Sequence, residues 1–311
     1  MKEAASAFDS VVYKKRECCA LQPYGCTTTK NDLKFLLTVA DHETQLGSFD
    51  IVKCTQCDVA LTNPYPTEET VSYLYQGRST ADFHSVNNTL IDTIKSFLAR
   101  RLIKKITRNR TVESVLDYGT GNGVFACETK VVLPTAEVVA MDYHETLPPL
   151  LHDENQIRYV KYADFASELK KYDLIIVRHV LEHTHDPIAV LQDLKSRLSP
   201  KGIIYIEVPN LNSACGKLFG KYWRMYYVPR HIFHFSKNGL HKIASFSGLR
   251  AKIGKTNMPM MSCMVSILSG VDQSLLWVKL IGILLHPVQL LTEAVCRSST
   301  CLYAICEHEK K

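Results

Sequence analysis

Gly119, Gly121 and Gly123 alternate with Thr120 and Asn122 directly after Asp117, at the end of a short strand-like run that starts at Val112. A strand ending in an acid, a turn bare of Cβ atoms and a helix starting near Val124 make a place where a nucleotide-like ligand can lie against main chain. Asp117 can accept hydrogen bonds from a cationic amine there. Two further acids end apolar runs downstream: Asp142, followed by Tyr143, and Asp164, followed by Phe165. A carboxylate such as Asp142 can take both hydroxyls of a ribose. Each acid alone would read as a turn or helix cap. Three of them, closing three successive strands beside a glycine turn, read as a binding constellation.

A second group could move protons. Arg178 and His179 end the apolar run Tyr172–Val177, and His183 follows four residues later. His231 lies beyond a long aromatic segment. Unperturbed imidazole titrates near neutrality, so His179, His183 and His231 are the candidate bases, with holding a loop as their structural alternative. His179-x-x-Glu182-His183 also spells an inverted zinc-protease motif, but that chemistry needs both histidines on one helix face. Here the motif opens at a strand end.

A third group suits a metal. Cys54-Thr-Gln-Cys57 can hold one tetrahedral zinc from a tight turn, and a closed site needs two more ligands. Cys18 or Cys19 together with Cys26 could supply them, with His42 as a substitute. The alternative is a hairpin with free thiols.

These residues need elements to position them. From Val112 the chain alternates strand and helix, the pattern of an open parallel sheet with helices on both faces. The strands read as Val112–Leu116, Ala136–Asp142, Ile157–Asp164, Tyr172–Arg178, Ile203–Pro209, Gly248–Ile253 and Cys301–Cys306, with Leu198–Gly202 as a turn. The expected organisation is a cysteine module over 1–66, a helical cap over 67–111, an α/β core over 112–256 and an apolar helical addition with the last strand over 257–311. Within the core, 210–235 reads as a lid insertion carrying Phe219, Tyr222, Trp223, Tyr226 and Tyr227.

Asp-x-Gly-x-Gly-x-Gly at the end of a first strand resembles motif I of class I S-adenosylmethionine-dependent methyltransferases. Val180-Leu-Glu-His183 with Asp186-Pro187 resembles the fourth motif of their ubiquinone-biosynthesis-like members. Leu198-x-Pro-x-Gly202 and His231-x-x-x-Phe-Ser236 extend the likeness, which covers 112–256 well and the flanks weakly. The resemblance implies a Rossmann-like sheet of seven strands with the last one antiparallel. It also implies S-adenosylmethionine as cofactor, Asp164 on the adenine amino group with Phe165 beside the ring, and Arg178 and His179 lining the methionine portion. The cap segment, with Tyr73, Tyr75 and Phe83, would close the pocket. The cysteine stretch looks like the small zinc module ahead of some bacterial methyltransferases, although the first CxxC of that module is missing.

Gly121-x-Gly123-x-x-Ala126 also fits the looser dinucleotide fingerprint, with Asp142 as the ribose acid. An NAD(P)-dependent oxidoreductase is therefore one alternative, and a non-catalytic adenosylmethionine-binding module is another. Asp164 and an antiparallel closing strand favour adenosylmethionine.

The 311 residues carry a formal charge of +6. Six bases and no acid fall between Arg100 and Arg110, where apolar residues at helical spacing give an amphipathic helix with a solvated basic face. With no RNA module or interleaved aromatics, this argues against a nucleic-acid partner. The resemblance, with the aromatic lid and the apolar C-terminal section, implies a small-molecule acceptor such as a sugar, lipid-linked or quinone-like precursor. Eleven scattered cysteines and a polar start point to a reducing, cytoplasmic setting. The apolar stretch 260–291 contains Leu275–Leu291, short and interrupted for a membrane span. It reads as a helical hairpin, with peripheral membrane contact or a homodimer face as its expected role.

Overall fold

The structure is a computed structural model that describes residues 10–27, 29–75, 90–143, 146–148, 150–151, 156–272 and 275–309. Its N-terminal strands are β1 (Tyr13–Lys14), β2 (Leu33–Ala40), β3 (Ser48–Cys54), β4 (Ala60–Asn63) and β5 (Tyr65–Pro66). The core strands are β6 (Ser114–Tyr118), β7 (Glu137–Asp142), β8 (Ile157–Lys161), β9 (Tyr172–Arg178), β10 (Leu198–Pro209), β11 (Phe233–His234), β12 (Leu249–Thr256) and β13 (Cys301–His308). Seven of them form one sheet in the order β12-β13-β10-β9-β6-β7-β8. Only β13 runs antiparallel to its neighbours.

That order fixes where a ligand can sit. After β6 the chain builds β7 and β8 on one side, then returns to build β9 and β10 on the other. The adjacent helical connections diverge beyond the carboxyl ends of β6 and β9, and the resulting crevice is the switch point of an open α/β sheet. All five residues of β6 are buried, as expected of a central strand covered on both faces. An antiparallel β13 between β10 and β12 sets this sheet apart from the all-parallel dinucleotide fold.

Eight helices flank the sheets among the described residues. They are α1 (Leu90–Ile106), α2 (Val124–Val132), α3 (Tyr162–Phe165), α4 (Pro187–Ser196), α5 (Ala214–Phe219), α6 (Lys237–Phe246), α7 (Met261–Ser269) and α8 (Leu276–Val295). The start of α4 is fixed by sequence: Asp186 accepts from the backbone N–H groups of Ile188 (3.1 Å) and Ala189 (2.9 Å), and Pro187 at the first position needs no acceptor.

Four expectations change. The cap is a 3-10 turn, Val71–Tyr75, and then α1, while Phe83 lies outside the described residues. The Leu198–Gly202 turn is drawn into β10, whose register against β9 shifts between Leu198 and Ile203. The 210–235 segment is no open lid: it folds into α5, two 3-10 turns and β11, and buries Trp223, Tyr226, Ile232 and Phe233. Trp223 and Tyr226 hide their apolar faces inward, while Tyr222 stays exposed. Finally, β11 pairs with β4, joining the cysteine module to the core through the four-stranded sheet β11-β4-β3-β2. Cys19, Cys54 and Cys57 share one apolar cluster with Leu181, Phe233 and Leu240, so the module is not a separate body.

Candidate functional site

The glycine turn lies at the switch point. Gly119, Gly121 and Gly123 all have positive φ, at 76°, 58° and 87°. A Cβ on Gly119 would overlap Val180, and one on Gly123 would come within 2.7 Å of Leu151. Conformation and close approach therefore both demand glycine here. The N–H groups of Gly119 and Thr120 donate to Met141 O, and that of Gly121 donates to Asp142 Oδ2 at 2.7 Å. The turn is thereby tied to the end of β7.

Asp117 is buried beneath the turn and accepts a 2.7 Å hydrogen bond from the Thr120 hydroxyl. Burial pushes its pKa up to about 6, against the opposing pull of that hydrogen bond and of the Arg178 charge. A buried carboxylate held part-way to neutrality is a receptor for a cation. At the other end of the crevice Tyr143 stacks on Tyr162 with ring centroids 3.9 Å apart. Asp164 is exposed in α3. Phe165 departs from expectation. It is a core residue, edge-on to Tyr118 at 5.6 Å and covered by the Arg197 guanidinium at 4.3 Å, because the tight α3 turn points it back under the sheet. Tyr162, one turn earlier, holds the more open ring position.

The far wall carries the charged and imidazole groups. Arg178 pairs with Glu207 through Nη2 at 3.1 Å and Nε at 3.3 Å, and its guanidinium lies 4.0 Å from the centre of the Phe125 ring. His179 takes a left-handed backbone conformation, φ 54°, uncommon for a side chain with Cβ. Its Nδ1 lies 3.2 Å from Glu182 Oε1 and its Nε2 3.4 Å from Glu207 Oε1. Burial alone would lower its pKa. The hydrogen bond to Glu182 and the close negative charges of Glu182 and Glu207 outweigh that and raise it to about 9. Glu207 falls below the usual carboxylate range because Arg178 and His179 overcome its burial. His179 is therefore a cation at neutral pH, which corrects the expectation of a base at this position.

His183 and His231 stay neutral, both lowered first by burial. They meet edge to face at 4.5 Å. His183 Nδ1 is 2.9 Å from the Tyr75 hydroxyl and 3.2 Å from Arg230 O. His231 Nδ1 donates to Met225 O at 2.9 Å, directing Nε2 toward Glu182 Oε1 at 4.0 Å. His231 is buried and His183 only half-buried, so His183 has the better access to the crevice. Behind them Arg230 is almost fully buried and donates twice to Leu74 O, at 2.6 and 3.1 Å. This locks the 3-10 turn carrying Tyr75 against the wall.

Residue typing alone missed Glu207, Arg230 and Tyr162. Glu207 had a signal: an acid within the apolar run Ile203–Pro209 must be paired if buried. Arg230 had none, since its partner Leu74 lies 156 residues away.

Cys19, Cys26, Cys54 and Cys57 bring their sulfurs together, all within 4.8 Å of one another and all buried. Cys19 Sγ is 3.4 Å from Cys57 Sγ, and Cys26 Sγ is 3.7 Å from Cys54 Sγ. Zinc–sulfur bonds of ~2.3 Å in a tetrahedron give sulfur–sulfur edges of about 3.8 Å, so this set fits zinc. Leu21 N–H and Cys57 N–H point at Cys19 Sγ and Cys54 Sγ, the donors that stabilise thiolate charge. Cys18 and His42 fall outside the group: His42 instead stacks on Tyr222.

Comparison with known proteins agrees with the fold. Human N-acetylserotonin methyltransferase, solved with S-adenosylmethionine, superposes with a TM-score of 0.50 at 15% identity, covering 79% of this chain and 60% of that one. The ubiquinone biosynthesis O-methyltransferase of Histophilus somni is 25% identical over 118 residues, 35% of this chain and 50% of the relative. The tRNA U34 carboxymethyltransferase of Campylobacter jejuni is 23% identical over 158 residues, 46% of this chain and 54% of the relative. The chain thus spans about half the length of these two curated relatives. Residues 89–251, more than half of the chain, match the methyltransferase-domain family. With its glycine turn at the switch point and its reversed strand next to the sheet edge, the chain belongs to the methyltransferase-domain family and carries a class I, S-adenosylmethionine-dependent domain.

Proposed function

We propose that this chain transfers the methyl group of S-adenosylmethionine to a small-molecule acceptor bearing a hydroxyl, amine or acidic carbon. The observation that carries the reading is Asp117, a carboxyl buried beneath a glycine turn whose positive φ angles bring bare main chain up to the crevice. The cofactor's ammonium would pair with Asp117 and its ribose would meet Asp142. Its adenine would lie near Asp164 and the Tyr143–Tyr162 stack. Gly119 to Gly123, with Thr120 and Asn122, would border the methionine chain, and Arg178 the outer end of that portion.

The sulfonium supplies an activated methyl group, so positioning is the main requirement. The residues around the crevice would hold the cofactor and an acceptor so that the methyl group could pass between them. A hydroxyl or carbon acid must also lose its proton. His183 is the residue for that step: it is neutral and half-buried. With its own proton on Nδ1, donated to Arg230 O, it keeps a lone pair on Nε2. His231 would position it, and the His179 cation would hold Glu182 and Glu207 in place. The Cys19–Cys26–Cys54–Cys57 set would hold a structural zinc away from this chemistry.

Calorimetric titration with S-adenosylhomocysteine and NADH, on wild type and Asp142→Ala, tests the cofactor. Micromolar homocysteine-adduct binding that the variant loses is the expected result, and NADH binding in its place would sink the reading. Metal analysis should find about one zinc per chain, lost in Cys54→Ser; full retention in that variant would remove the zinc assignment.

A further inference from the structure

Helix α8 has its polarity inside out. The side chains it buries against the protein include Gln289 and Glu293. Gln289 accepts from Met260 N–H at 3.1 Å and donates to Met258 O at 2.7 Å and to Glu293 Oε1 at 2.8 Å. Every exposed residue of α8 is apolar, with Leu284 75% and Leu291 66% exposed. Even Thr292 turns its hydroxyl back onto Val288 O within the helix. A helix bordering water shows the reverse arrangement. Polar groups turned inward and aliphatic groups presented outward suit a hydrocarbon solvent.

The helix also has the dimensions and the setting. It is 20 residues long with a mean hydropathy of 1.4, or about 30 Å of apolar rod. A stripe from Val278 through Gly282 and Gln289 to Glu293 stays packed on the protein along nearly its whole length. At Gly282 a Cβ would come within 2.6 Å of Ser262 N, so α7 and α8 are closed on each other. Lipid can therefore cover one side of α8 but not encircle it. The border is basic: Lys217 and Lys221 are exposed on α5 and the turn after it, and Arg297 follows the end of α8. A protein partner would call for a polar rim and hydrogen bonds about every 100–200 Å². The exposed face of α8 offers a single donor, the indole N–H of Trp277, a side chain suited to the boundary between headgroups and acyl chains.

We propose that the α7–α8 hairpin seats this protein on an anionic lipid bilayer, with α8 lying in the plane of the membrane surface and its outer face among the acyl chains. The hairpin leaves the sheet between Thr256 and Cys301, which are register partners, and Cys301 also pairs with Pro209 at the carboxyl end of β10. Docking in this way sets the glycine-turn end of the sheet near the lipid boundary. The proposal stands on the hairpin alone and does not need the methyl-transfer reading.

Flotation of the full chain with phosphatidylcholine vesicles, with and without phosphatidylglycerol, tests it. Wild type should rise with the anionic vesicles and keep a measurable fraction bound at high salt. Leu284→Glu/Leu291→Glu should lower the floated fraction about tenfold or more. Lys217→Glu/Lys221→Glu should weaken binding to anionic vesicles about tenfold and leave neutral ones unaffected. Leu169→Glu, an exposed site near the amino end of β9, should float as wild type does. Thermal melts and adenosylhomocysteine titration on the same samples establish folding, and they separate a failure here from a failure of the cofactor reading. Wild type remaining at the bottom, folded glutamate variants that still float, or a vesicle-indifferent dimer that Leu284→Glu/Leu291→Glu dissolves would each overturn the proposal.

Discussion

The two walls of the crevice are built by different means. The glycine-turn wall is main chain and two buried carboxylates, Asp117 and Asp142, and the turn is held by backbone hydrogen bonds to the end of β7. The opposite wall is side chains: Tyr75, Arg178, His179, Glu182, His183, Glu207, Arg230 and His231, brought from four separate elements into a network of buried charge. A main-chain wall fails when its shape changes and is nearly indifferent to charge. A charged wall should fail the opposite way, through lost partners and shifted protonation.

The sharpest break of that contrast is at His183. His183→Asn should cut turnover of a hydroxyl acceptor by about 10²–10⁴-fold while adenosylhomocysteine affinity stays level; equal loss of both would make His183 part of the cofactor wall. On the other side, Gly119→Val combines a left-handed φ with a clash against Val180. Calorimetry should show adenosylhomocysteine binding weakened about 100-fold, and unchanged affinity would mean that the turn does not border the ligand.

Asp117 is where the two walls become alike, because there shape and charge act together. Asp117→Asn should cost about tenfold in adenosylhomocysteine affinity. In wild type that affinity should rise between pH 5 and 7.5, since the carboxylate that pairs with the ligand ammonium forms only above its pKa of about 6. A flat wild-type profile would separate Asp117 from the ammonium. The smallest effect is on stability. The folded pKa of His179 lies near 9, above its ordinary 6.5, so its contribution is complete below about pH 6.5 and lost as pH rises through 9. Melting temperatures recorded across that window should fall in wild type. In Glu207→Gln the fall should end at lower pH and be smaller, and coincident curves would show that Glu207 does not hold the His179 proton.

The same contrast explains what could be read in advance. The cofactor wall is nearly contiguous in sequence, and its requirements are local: glycine where φ is positive, an acid where a strand ends. The four thiols were also within reach, since the knuckle names half a site and Cys19 with Cys26 complete it, and the structure brings those same four sulfurs together. Phe165 went the other way because one step around the α3 turn decides whether a ring faces the crevice or the core. The protonation of His179 was out of reach for a similar reason: it depends on Glu207, 28 residues away on the next strand of the sheet.

By itself the sequence determined the alternation of strand and helix, the glycine turn, the acids near the ends of the first two strands and the apolar character of the C-terminal hairpin, whereas Asp164, expected to close the third strand, lies in α3 beyond it. Each follows from periodicity or backbone preference within a short window. Tertiary structure alone decided that the 210–235 segment is a buried seam carrying a strand for the cysteine module. It also decided that His179 is a cation while His183 and His231 are not, and that α8 turns its polar residues inward. Those outcomes depend on desolvation and on partners far along the chain, and a residue acquires both only when the sheet closes around it.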